Sequence, residues 1–85
     1  MAEEPTEVIA YAGYRGEESP RSFVLHGRRI AVTAVLARWI EEDGATSVRT
    51  RCFRVKGNDM RTHLLRQREP GAIWTHEALA GEEGR

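Results

Sequence analysis

Cysteine is nearly absent from this 85-residue chain: Cys52 stands alone, so no intramolecular disulfide can form, which suits a reducing compartment. Long apolar runs are missing too. Nothing approaches the roughly 20 residues that cross a bilayer, and the opening MAEEPTE has neither the basic nor the apolar region of a secretory signal. A cytoplasmic protein without membrane contact is expected. There is no glycine-rich phosphate loop or nucleotide fingerprint. The adjacent pairs Glu17-Glu18 and Glu41-Glu42 fall on loops or ends, where little would hold a catalytic geometry. His26, His63 and His76 lack metal-ligand spacing, and Cys52 has no second cysteine two to four residues away, so neither a metal nor a cofactor is expected. Cys52, Ser22 or Ser47 could pair with a histidine as nucleophile and base, but no motif specifies that geometry. A chain this short struggles to frame a cleft, and it is expected not to be an enzyme.

What is abundant is arginine, and it is zoned. Residues 19–68 carry eleven basic side chains against four acids, a local balance of plus seven. Residues 1–18 hold five acids against Arg15, and residues 69–85 hold four against Arg85. The formal net charge of zero therefore conceals a basic centre between acidic ends. A local positive field acts over about a Debye length, roughly 8–10 Å at physiological salt, so overall neutrality does not exclude an anionic partner.

The apolar pattern suits one small β domain over residues 8–79, with residues 1–7 and 80–85 too polar and glycine-rich to bury much and expected as disordered tails. Residues 8–14 (VIAYAGY) read as a strand closed by Gly16 and the approach to Pro20. Residues 21–25 and 29–33 alternate around His26-Gly27, a hairpin in which Gly27 supplies positive φ. Residues 31–43 read two ways. Ala31, Val35 and Trp39 have helical spacing with Gly44 as a cap, which suggests a short helix near residues 34–42, yet three acids at the C-terminus oppose the helix dipole. As a strand, one bulge near Val35 brings Trp39 inward, and this reading is preferred. Residues 48–56 (VRTRCFRVK) are a strand with Phe53 and Val55 on one face, Gly57-Asn58-Asp59 a turn, and residues 60–66 the return strand with Leu64 or Leu65 in the core. Residues 72–79 supply a last strand carrying Trp74. The fold expected is all-β, an antiparallel five- to six-stranded small barrel or curled sheet built from two hairpins.

The succession PRSFVLHGRRIAVTAVLARW, RCFRVKGND, THLL and IWTHEAL resembles a family of small bacterial domains of unknown function. The resemblance rests on Arg21, Phe23, Gly27, Arg28, Arg29, Val35, Leu36, Arg38, Trp39, Phe53, Val55 and Trp74 and covers about residues 20–79. Similar segments are appended to the C-termini of inactive Y-family DNA-polymerase-like proteins of bacterial damage-induced mutagenesis. The resemblance implies a fold and carries no active site with it.

Arg28, Arg29, Arg49, Arg51, Arg54, Lys56, Arg61 and Arg66 are the candidate nucleic-acid-binding residues, because guanidinium forks match phosphate oxygens and small barrels bind single strands with basic grooves and aromatic platforms. Tyr11, Tyr14 or Trp39 is the candidate platform. In the alternative reading the basic face is solvated and the module binds another protein through a sheet edge or an exposed tryptophan. Trp39 and Trp74 are expected in the core. His63 and His76 lie in strands placed to face each other across the sheet. A monomer is the default state.

Overall fold

Seven antiparallel strands form one curled, half-barrel sheet in the order β1-β7-β6-β5-β4-β3-β2, in a computed structural model that describes residues 4–12, 18–69 and 73–79. The strands are β1 (Glu4–Pro5), β2 (Val8–Ala12), β3 (Glu18–Leu25), β4 (Arg28–Asp43), β5 (Val48–Gly57), β6 (Thr62–Glu69) and β7 (Trp74–Ala78), and no helix occurs among the described residues. The all-β curled sheet matches expectation. The strand count does not: the seventh is β1, a Glu-Pro pair that carries no strand signal and is held only by pairing with Thr75 and His76 of β7. Residues just before Val8 thus take part in the sheet. Thr6 N–H donates to the Trp74 carbonyl (3.1 Å), and the Glu7 carbonyl accepts from Val24 N–H of β3 (3.0 Å), so this segment reaches both outer strands of the meander.

The first hairpin turns on His26 (φ 51°) and Gly27 (φ 77°), both left-handed, the conformation that matches the twist of two-residue connections. Glycine adopts it without cost; His26 is exposed and carries the strain. In the second hairpin Gly57 N–H donates to Arg61 O (2.9 Å), Met60 N–H to Gly57 O (3.0 Å), and the Asp59 carboxylate accepts from Arg61 N–H (3.2 Å). Asn58 reaches sideways to β4, donating its backbone N–H to Ala31 O and accepting Ala31 N–H on Oδ1. Asn58 thus extends the β4–β5 pairing one residue past the end of β5, at a position of β4 that pairs with Ser22 of β3 on its other side.

No helix forms over residues 34–42; the stretch lies in β4. Its helix-like spacing comes from two register irregularities against β5, between Val32 and Ala34 and between Val35 and Ala37. The first bulge advances the inward set from 30 and 32 to 35, a parity that alone would continue to 37 and 39. The second advances it again, to 38 and 40, so Trp39 points outward and is 37% exposed. The expectation of a buried Trp39 is therefore wrong by one bulge. Trp74, only 8% exposed, joins Phe23, Ile30, Phe53, Val55 and Leu65 in the core on the concave face, with Val8, Ala10, Leu25, Val32 and Val35 packed around them. Burial of these side chains, at about 25 cal/mol per Å² of apolar area, is the main force holding the sheet curled.

Candidate nucleic-acid interface

Cross-strand partners share a face, so the register sorts the arginines. On β5, Phe53 and Val55 face the concave core; Arg51 and Arg49 have the same parity and line its open end. There Arg51 meets Glu69 at 2.7 Å and Arg49 meets Glu42 at 3.8 Å. Cys52, Arg54 and Lys56 point to the convex face. β6 adds Arg66, opposite Cys52, and Arg68, opposite Thr50; β4 adds Trp39, opposite Cys52. Trp39, Cys52, Arg66 and Thr75 thus form one row across four strands, with Ala37, Arg54, Leu64 and Glu77 forming the next.

Of the eight arginine and lysine candidates, the convex face brings together Arg54, Lys56 and Arg66. Arg49 and Arg51 lie on the opposite face, each with an acid. Arg28 and Arg29 sit at the β3–β4 turn, where Arg29 donates to Ser22 Oγ (2.8 Å) and approaches Glu7 (4.0 Å). Arg61 is exposed in the β5–β6 turn. Arg66 donates to Glu77 Oε1 at 2.9 Å. Among the described residues no carboxylate lies within ion-pair distance of Arg54, Lys56 or Arg68. Arg68, which the sequence places on the same paired strand as Arg61 and Arg66, shares the parity of Arg66 and Leu64 on β6 and so joins this face. Of the platforms, Trp39 is on this face, Tyr11 has only its β2 backbone described, and Tyr14 lies outside the described residues.

The convex face is not flat. Pro5, Glu41, Thr50, Arg66, Arg68, Ile73 and Thr75 line an open depression of about 630 Å³. At its side Trp39 donates its indole N–H to Glu41 Oε2 (3.2 Å) and keeps part of its ring in solvent. Beneath it Cys52 is fully buried, with burial the chief cause of its thiol pKa lying above the ordinary value; hydrogen bonding to Arg66 partly offsets this. The buried side chain acts here as a small packing residue.

A second constellation lies inside the sheet. His63 and His76 do face each other: Nδ1 of His63 and Nε2 of His76 are 2.9 Å apart, and His63 Nε2 is 3.0 Å from Asp59 Oδ2. Both rings are buried against Phe23. A carboxylate only accepts, so His63 Nε2 carries a hydrogen, and one further hydrogen is shared between the two imidazoles. Burial, then the neighbouring His63, depresses the pKa of His76. Burial alone would raise Asp59, but the Arg61 N–H and the His63 ring outweigh it and leave the carboxyl below its ordinary value. The cavity beside this cluster, about 230 Å³, is lined among the described residues by Glu4, Leu25, His26, Arg61, Thr62 and Ala78 besides the two histidines, none of them serine or cysteine. Among the described residues no group of three or more His, Cys, Asp and Glu side chains is disposed to hold a metal.

Comparison with known proteins finds no matching family model, no similar curated protein and no similar solved structure.

Proposed function

We propose that this chain is a non-catalytic binding module that takes single-stranded nucleic acid across the convex face of β4, β5 and β6. The observation that carries the reading is the exposed Trp39 in the same cross-strand row as Arg66, one row from Arg54 and Leu64. A base stacking on the indole places the adjoining phosphates over Arg54 and Lys56 on one side and Arg68 on the other. The depression between Arg66 and Arg68 accepts a second base. The likeness to segments appended to inactive DNA-polymerase-like proteins agrees with work beside DNA. A protein-docking reading is favoured by Leu36 and Ile40, exposed alongside Trp39 on β4.

Titration with short oligonucleotides at low salt tests the proposal. Trp39 fluorescence is quenched while a Trp39→Phe variant, which keeps only the buried Trp74, stays silent. Three phosphate contacts give a slope of log K against log salt of about −2, and Arg54→Ala flattens it by about 0.7. Unchanged amide spectra in β4 to β6 with both single- and double-stranded oligonucleotides sink the idea.

A further inference from the structure

β4 pairs with β3 only through Arg28–Ala31 and with β5 through residues 32–43, so from residue 34 to residue 43 its other edge has no strand beside it among the described residues. Natural sheets usually blunt such an edge with proline, lysine or a bulge. Here the irregularities lie between Val32 and Ala34 and between Val35 and Ala37, and residues 38–43 run in regular register with no proline and no lysine. Ile40, at its middle, is 53% exposed.

From the charge pattern of this edge we infer that the chain associates with a second copy of itself, β4 against β4, antiparallel about a two-fold axis at Ile40. Such an axis runs perpendicular to the joined sheet, so concave residues meet concave residues, and the numbers of two opposed residues must sum to an even value. Centring on Ile40 sets Arg38 opposite Glu42 twice and Ile40 against Ile40. On the convex face it sets Trp39 opposite Glu41, whose carboxylate already accepts an indole N–H within the chain. One step either way loses this. Centring on Glu41 opposes Glu41 to itself, and centring on Trp39 leaves Arg38 opposite Ile40. Centring on Arg38 opposes two guanidinium groups. Glu42 is available, since its approach to Arg49 is 3.8 Å between exposed side chains. Arg38 donates to Ser19 Oγ at 3.4 Å and lies 5.9 Å from the Phe53 ring centre, so it already leans over the concave face that Glu42 of the second copy enters. The contact is short and belongs with weak interfaces, so the monomer prevails when dilute.

Sedimentation equilibrium from about 10 µM to about 1 mM reads the association, with mass rising from 9.6 kDa toward twice that value. Arg38→Glu and Glu42→Arg each weaken it at least about tenfold, the scale of 1.4 kcal/mol, and the double variant restores it because the opposed charges are exchanged. Ile40→Lys abolishes it, and circular dichroism checks that each variant folds. A wild-type chain monomeric across the whole range overturns the inference, as does a dimer indifferent to Ile40→Lys or a double variant no better than the singles.

Discussion

Replacing His76 by Phe removes one imidazole from the buried Asp59–His63–His76 chain while keeping a ring against Phe23, from which the wild-type imidazole is stacked at 5.5 Å. Two nitrogens 2.9 Å apart share one hydrogen and not two, and the buried His76 resists taking up a further proton in the folded protein. The groups around His76 are His63 on β6, Asp59 in the β5–β6 turn, Glu4 on β1 and His26 in the β3–β4 turn; burial and the other histidines outweigh the two carboxylates, and the folded pKa lies below the ordinary 6.5. The unfolded chain accepts that proton as pH falls through about 6.5, and the folded chain does so only at lower pH. The unfolded state therefore binds more protons across this window, and stability declines as pH drops, by up to about 1.4 kcal/mol per pH unit for one refused proton. It levels off once pH passes below the folded value. Asp59, held below the ordinary carboxyl range, adds a further loss as pH falls through and below about 3.8. Urea unfolding at half-unit steps from pH 5 to 8 measures this. His76→Phe loses about 1–3 kcal/mol at neutral pH, because Nδ1 of His63 no longer has its partner, but its stability falls less steeply between pH 6.5 and 5. Parallel pH profiles for the two proteins refute the reasoning.

A Cβ at Gly57 would come within 2.6 Å of both Asp59 Oδ1 and Ile30 Cγ2, so Gly57→Ala destabilises by about 1–3 kcal/mol and lowers the thermal midpoint by several degrees, followed by calorimetry. The two tryptophans separate cleanly under truncation. Trp74→Ala, in the core, costs about 3–5 kcal/mol in a denaturant titration, whereas Trp39→Ala, on the convex face, costs no more than about 1 kcal/mol.

Where alternation was clean, the residues announced their places. Phe53 and Val55, Gly27 at its turn and the facing of His63 and His76 follow from period-two patterning and turn chemistry alone, while the choice between Leu64 and Leu65 waits for the register that sets Leu65 opposite Phe53. β4 was harder, because two bulges three residues apart reproduce a helix-like recurrence of apolar residues and a period count cannot separate them. That same pair of bulges decides whether Trp39 is core or surface, and hence whether the convex face has an aromatic platform. Parity assigned Arg54 and Lys56 to the exposed side once Phe53 was inward. It also put Arg49 and Arg51 with the core, where the curl ends and Glu42 and Glu69 receive them, a consequence of long-range pairing that no local window contains. Asp59 joined the histidines for a similar reason: its turn was legible, but the direction of its carboxylate depended on β6 returning beside it.

β1 finds its partner only in β7, with Glu4 opposite His76, seventy-two positions along the chain. Loop closure over such a span carries an entropic cost that local hairpins avoid, and non-local pairing slows folding. During synthesis the two hairpins have all their strands early and Glu7 can already meet Val24 of β3, but Glu4–Pro5 has no strand to pair with until Trp74–Ala78 leaves the ribosome. Pairing of β1 is therefore the last step of the sheet, and a nascent chain stalled before β7 is expected to be cleaved by protease more readily around Glu4–Pro5 than the finished chain.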